Sequence, residues 1–307
     1  MADSKDLDVR SSKLELRTSN VELADPALVR RIITAALEED GARNDVTTRA
    51  LVPPDQRGRG TVLCKASGIV AGLPVAEAAF AALDAEVRLE HLVQDGALVA
   101  PGDRLARVDG PLASVLSGER VALNFLQRLS GIATMTRRFV DAVAGTQARI
   151  LDTRKTTPGL RALERYAVRA GGGHNHRFNL SDAVLIKDNH LAAARARGLT
   201  IDQVVAQARG AAPAGMRIEI EVTTVEEARE AVDAGADIVL LDNMRIDDMR
   251  RAVELGRGRV LFEASGGVTL ENVRAIAGTG VDMISVGALT HSAPALDMSL
   301  ELESAAP

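Results

Sequence analysis

The chain has 307 residues, 46% of them hydrophobic and 26% charged, with a formal net charge of -5. This is the mixture of a globular protein with ample core for one large domain or two ordinary ones. The negative balance argues against nucleic acid, whose phosphates demand a broad basic surface; 2% aromatics exclude stacking platforms as the main recognition mode, and a single cysteine excludes an internal disulfide framework or a cysteine-rich metal site.

Residues 1–24 are polar and lack a signal-sequence core, so they read as a flexible leader of a cytoplasmic protein. No apolar run is long enough to span a membrane. Leu28, Ile32, Ile33 and Leu37 recur at helical spacing and predict a helix over 26–37. After a polar turn, strands are predicted over 60–66, 68–72, 86–92 and 104–109, with a helix over 75–83. Asp95-Gly96, Pro101-Gly102 and Asp109-Gly110 are turn signals between them. Such a pattern suggests an α+β domain with an antiparallel sheet. Cys64 falls on its first strand and reads as a small buried hydrophobe. A long helix is expected over 117–143, interrupted at Gly131, as the joint between two domains.

From Arg149 the texture changes. Short apolar runs recur, most ending in a polar residue: Leu151 then Asp152, Ile186 then Lys187, Ile220 then Glu221, Leu241 then Asp242, Phe262 then Glu263, Val286 then Gly287. Helical stretches are predicted between them, over 159–169, 201–209, 225–234, 246–255 and 270–279. Strand, loop and helix in repetition mean a parallel sheet. Closed on itself it is a β/α barrel, with ligands at the carboxyl ends of its strands; an open doubly wound sheet is the alternative.

The charged residues gather at those ends. Residues 151–190 hold Asp152-Thr153-Arg154-Lys155-Thr156, Gly171-Gly172-Gly173, His174-Asn175-His176-Arg177 and Lys187-Asp188-Asn189-His190. Lys155 and Lys187 beside Arg154 and Arg177 would repel one another without an anion, so the pattern points to a small molecule carrying phosphate and carboxylate groups. Ser265-Gly266-Gly267 and Val286-Gly287-Ala288 follow the last two strands. Glycine there exposes backbone N–H donors suited to a phosphate. Glu221 and Asp242, at consecutive strand ends, suit magnesium, held directly or through water; Glu219 should point the same way as Glu221, and Asp188 and Glu263 rank lower. His174, His176 and His190 lack the support expected of a zinc site. Neither a P-loop lysine motif nor a GxGxxG after a strand is present.

In chain order DTRKT, GLR, GGGHNHR, KDNH, EIEV, LLDN, EASGG and VGALTHS resemble the quinolinate phosphoribosyltransferase family, the decarboxylating nicotinate-nucleotide pyrophosphorylases, from about Leu28 to Leu296. Asn44 departs from the glycine of that pattern. The resemblance implies an α/β fold: an incomplete seven-stranded β/α barrel over 128–289, preceded by an α/β sandwich domain over 25–127 that residues 290–307 complete. Six barrel strands can be read and the seventh cannot be placed. It further implies a homodimer with a shared active site, and conversion of quinolinate and phosphoribosyl pyrophosphate to nicotinate mononucleotide, pyrophosphate and carbon dioxide with Mg2+. Quinolinate contacts fall on Arg154, His176, Arg177 and the partner's Arg120, with Thr153 in the same substrate-binding set. Lys155, Lys187, Glu221 and Asp242 carry the catalytic roles, and the two glycine loops hold phosphate. The rival readings are a phosphoribosyltransferase for nicotinate or another pyridine acid, and a noncatalytic anion-binding protein.

Overall fold

In the computed structural model, which describes residues 25–303, Asp25 and Pro26 open the first helix. The Asp25 carboxylate accepts the Ala27 amide at 2.9 Å, and proline is tolerated in a first turn because its missing N–H has no partner there anyway. This helix, α1 (Pro26–Glu39), buries Val29, Ile33 and Leu37, residues four apart on one face. It is followed by α2 (Val46–Leu51), β1 (Arg57–Cys64), β2 (Gly68–Ile69), α3 (Leu73–Leu83), β3 (Arg88–His91), β4 (Leu98–Val99), β5 (Arg104–Pro111) and α4 (Leu112–Ala142). Cys64 is fully buried, and burial pushes its thiol pKa up.

Two details depart from the sequence expectation. The strand expected over 68–72 stops at Ile69, because Gly72 turns with φ 106°. Asp95 takes the Gly72 and Leu73 amides at 2.6 and 3.2 Å, which opens α3 at that point. The long helix begins earlier than expected and runs through Gly131 without interruption. Glycine serves there as a contact: a Cβ would overlap the Pro294 carbonyl oxygen.

The later elements alternate: β6 (Arg149–Leu151), α5 (Arg161–Ala170), β7 (Val184–Ile186), α6 (Asp188–Arg195), α7 (Ile201–Ala211), β8 (Ile218–Val222), α8 (Val225–Asp233), β9 (Ile238–Asp242), α9 (Ile246–Gly256), β10 (Leu261–Ser265), α10 (Val273–Ala277), β11 (Met283–Ser285), α11 (Ala288–His291) and β12 (Met298–Leu302). Among the described residues, one compact unit takes 138–154 and 174–287. Its sheet has the order β6-β11-β10-β9-β8-β7, and every pairing is parallel. Beyond β6 a single parallel bridge joins Leu151 to His174. The other unit takes 25–137, 155–173 and 288–303. Its antiparallel sheet has the order β12-β1-β5-β3, so the C-terminal strand completes it. The chain is therefore an α/β protein with a six-stranded parallel sheet and a mixed N-terminal domain.

Helix α6 is absent from the sequence prediction. His190 explains it: the Lys187 amide donates to His190 Nδ1 at 2.9 Å, which satisfies an N–H at the helix start. The last predicted helix shrinks to α10. Asn272 is spent instead on the preceding loop, accepting the Thr269 amide and donating to the Gly267 carbonyl, both at 2.8 Å.

Candidate active site

Strand register decides which side chains share a face. Glu221 pairs with Leu240, Leu240 with Glu263, and Asp242 with Ser265. Side chains alternate along a strand, so Glu219, Glu221, Asp242, Glu263 and Ser265 lie on one face. Leu151, Ile238, Leu261 and Met283 form a buried apolar cluster on that same face. A cavity of about 390 Å³ opens there, with Leu151, Ile238 and Met283 as its apolar wall and His176, Arg177, Arg217, Glu219 and Glu263 among its polar ones. Ala183 and Arg217 precede β7 and β8, and Ile238 and Met283 open β9 and β11, so the cavity lies toward the strand starts, and Lys187, Glu221, Asp242 and Ser265 at the strand ends are not among its lining.

Asp152 organises the turn that follows His174. It is fully buried and accepts Asn175 Nδ2 at 2.5 Å and the His176 amide at 2.8 Å. Its own amide donates to the His174 carbonyl at 3.0 Å. This holds the turn carrying His176 and Arg177. His176 Nε2 then lies 3.4 Å from Glu219 and 3.5 Å from Glu263, both buried. Burial disfavours a charged ring, but Glu263 and Glu219 outweigh it and raise the His176 pKa to about 10. The Arg177 amide donating to Nδ1 at 2.7 Å opposes that charge, since an imidazolium has no acceptor at Nδ1. Two buried carboxylates are the stronger effect. Burial also raises Glu219, with Glu263 adding to the rise. Together the three residues place donor atoms within 4.8 Å of one another. An imidazole with two carboxylates suits a transition metal better than magnesium, but Nε2 is committed to a proton held between the carboxylates.

Arg177 Nη1 donates to the Ala183 carbonyl at 3.0 Å. Its pKa is lowered, first by burial and then by the charge of Arg154. The charge of Arg154 is thus felt at Arg177, where Glu219 and Asp182 act in the opposite sense. Nearby in the sheet, Lys187 Nζ meets Glu221 Oε2 at 3.4 Å, with Lys187 half exposed and Glu221 largely buried.

The loop after β10 is built on asparagine. Asn243 has φ 52°, the only positive value for a non-glycine among the described residues. Its amide donates to the Ser265 carbonyl at 2.9 Å, and its Nδ2 donates to Asp242 Oδ2 at 2.8 Å. Gly266 and Gly267 both have positive φ, and a Cβ on Gly266 would overlap the Asn243 side chain. Val286 behaves differently from the expectation that its amide serves a phosphate: that amide donates to the Leu151 carbonyl at 2.9 Å, so the sheet uses it.

Residues 45–130 match the N-terminal domain and residues 132–301 the C-terminal domain of quinolinate phosphoribosyl transferase. The chain belongs to the quinolinate phosphoribosyltransferase family. It is 44% identical over 274 residues to the probable nicotinate-nucleotide pyrophosphorylase [carboxylating] of Bacillus subtilis, covering 89% of this chain and 93% of that one. It is 41% identical to quinolinate phosphoribosyltransferase [decarboxylating] 2b, mitochondrial, of Nicotiana tabacum, covering 94% and 87%. The crystal structure of NadC from Streptococcus pyogenes superimposes with a TM-score of 0.87 at 41% identity, over 92% of this chain and 99% of that one. Human nicotinic acid phosphoribosyltransferase, at 17% identity and a TM-score of 0.55, shares the fold alone.

Arg154, His176, Arg177, Lys187, Glu221, Asp242, Ser265, Gly266 and Gly267 all fall within the parallel-sheet unit, with Thr153, Val286 and Gly287 after β6 and β11; of these, His176 and Arg177 line the cavity. Arg120, Lys155 and Ala288 belong to the other unit. There Arg120 is an exposed residue of α4, Lys155 is exposed, and Ala288 starts α11. The sequence reading gave no role to Asp152, Asn175 or Asn243 and ranked Glu263 low. Only Asn243 carried a signal, as a residue type that tolerates left-handed backbone. Among the described residues no helix is long and apolar enough to cross a membrane.

Proposed function

We propose that the chain transfers the phosphoribosyl group of phosphoribosyl pyrophosphate to quinolinate and releases pyrophosphate and carbon dioxide, giving nicotinate mononucleotide in the cytoplasm. The observation that carries this reading is the cavity in which His176 and Arg177 face an apolar wall of Leu151, Ile238 and Met283, with the charge of Arg154 reaching Arg177. An aromatic acid with two carboxylates would offer the guanidinium groups planar acceptors and set a flat apolar body against that wall. The sheet-end glycine loops would take the sugar phosphate, and Lys155 and Lys187 the pyrophosphate or the negative charge developing in the transition state. Glu221 and Asp242 would stabilise positive charge on the ribose carbon as the glycosidic bond changes partners. Positioning and charge neutralisation do most of the work, with no covalent protein nucleophile.

Magnesium fits Glu221 and Asp242 best through water. Glu221 already faces the Lys187 ammonium and Asp242 accepts from Asn243, and magnesium keeps several waters while taking phosphate oxygens. Bound there, it would neutralise the pyrophosphate. The isolated His174 bridge beside β6 supports reading the sheet as an incomplete barrel with a seventh strand there. Arg120 would reach the site of a second subunit in a homodimer. The test is initial pyrophosphate release with quinolinate or nicotinate as acceptor. Release with quinolinate at rates well above nicotinate supports the reading; preference for nicotinate, or sugar-donor binding without release, overturns it.

A further inference from the structure

Lys155 sits in a segment without regular secondary structure, between β6 and α5. Its position must therefore come from side chains that grip the backbone. Two such grips converge on one ion pair within the mixed unit, a buried Glu164 and a partly buried Arg128. Glu164 on α5 has no exposed surface, yet its carboxylate is fully engaged. It accepts Arg128 Nη2 at 2.7 Å and Nε at 3.3 Å. It also accepts the Thr157 hydroxyl at 2.7 Å and the Thr157 amide at 3.0 Å. Arg128 on α4 spends its remaining donors on the segment that starts with α11: Nη1 on the Ala293 carbonyl at 3.1 Å and Nη2 on the Thr290 carbonyl. Thr290, itself fully buried, donates its hydroxyl to the Lys155 carbonyl at 2.8 Å.

We propose that Arg128 and Glu164 are positioning residues that, with Thr290, set the register of Lys155 against the start of α11. The proposal rests on the reading that Lys155 holds the phosphoribosyl donor. Stability alone is a poor reason for the pair. Two charges taken out of water recover little net energy, and apolar residues of similar volume often replace them without loss. What an apolar pair cannot do is bind two carbonyls, an amide and a hydroxyl from separate segments in one fixed geometry. A planar guanidinium and a four-acceptor carboxylate do that. Neither residue needs to touch substrate.

The test is a set of variants of the full chain assayed for KM of each substrate, kcat and thermal midpoint. Thr290→Val keeps the shape and removes the hydroxyl. It should raise the KM for phosphoribosyl pyrophosphate severalfold while the quinolinate KM and the thermal midpoint stay near the parent values. The double change Arg128→Met with Glu164→Leu strands the two carbonyls, the amide and the hydroxyl and should lower the thermal midpoint; assayed well below that midpoint it should still lose at least tenfold in kcat/KM for the donor, and Arg128→Lys should recover part of that loss. Parent kinetics in Thr290→Val, or in a double variant assayed well below its midpoint, would overturn the proposal. Lys155→Ala is run alongside. If it too keeps parent kinetics, the reading of Lys155 has failed; if it alone is impaired, the positioning inference has failed.

Discussion

Gly266→Ala probes the phosphate loop with a single methyl group. The residue has φ 87°, and the new Cβ would overlap the Asn243 side chain. Left-handed backbone costs an alanine about 1–2 kcal/mol. Moving Asn243 aside breaks its 2.8 Å bond to Asp242, which adds about 1 kcal/mol for a partly exposed hydrogen bond. A loop destabilised by ~2–3 kcal/mol, and formed in full only when phosphate binds, should raise the KM for phosphoribosyl pyrophosphate by roughly 30- to 150-fold. The quinolinate KM should move far less. Asn243→Gly alone, tolerated because the position already has positive φ, loses the same bond to Asp242 without the overlap or the backbone cost of alanine and should leave about 1 kcal/mol, roughly 5-fold. Steady-state kinetics with each substrate varied in turn reads both. An unchanged donor KM in Gly266→Ala, at parent thermal stability, would refute the loop argument.

Stability should fall as pH rises from neutrality. The His176 pKa stands at about 10 against an ordinary 6.5, so the charged ring stabilises the fold fully below about 6.5 and loses that contribution as pH passes through 10. Glu219, raised by burial, acts with the same sign. The upper bound for His176 is on the order of 4–5 kcal/mol; a thermal midpoint that stays level or climbs between pH 7 and 10 contradicts it. Asp152→Ala strands the Asn175 side chain and the His176 amide and should cost about 2–4 kcal/mol, with quinolinate KM rising more than donor KM; urea unfolding and steady-state kinetics check the two halves. Mixing Arg120→Ala protein with Lys155→Ala protein should restore activity through hybrid dimers, and proven subunit exchange without recovery counts against a shared site.

Most of the fold is legible because its signals are periodic. Helix α1 repeats every four residues, and each parallel strand is an apolar run with a polar end. The limits of prediction lie where one contact overrides a local preference. Gly131 reads as a helix breaker until Pro294 is seen against it, and Gly72 ends a strand because Asp95, more than twenty residues away in sequence, takes its amide. The charged candidate residues stand out in the sequence for another reason: cations cluster only where something neutralises them. Their supports do not. Asp152, Glu164 and Arg128 act through bonds to backbone groups distant in sequence, and no spacing announces such partners. Glu263 was visible as a strand-end acid, but its pairing with Glu219 across His176 depends on strand register.

The central claim is that the cationic pocket binds a dicarboxylic pyridine and removes the carboxylate beside the ring nitrogen as the new glycosidic bond forms. The direct measurement is carbon dioxide release from quinolinate labelled at that carboxylate, followed together with pyrophosphate. The account predicts one labelled carbon dioxide per pyrophosphate in the parent enzyme and loss of both signals together in Arg154→Ala. Pyrophosphate release without labelled carbon dioxide, or near-parent turnover in Arg154→Ala, would contradict it.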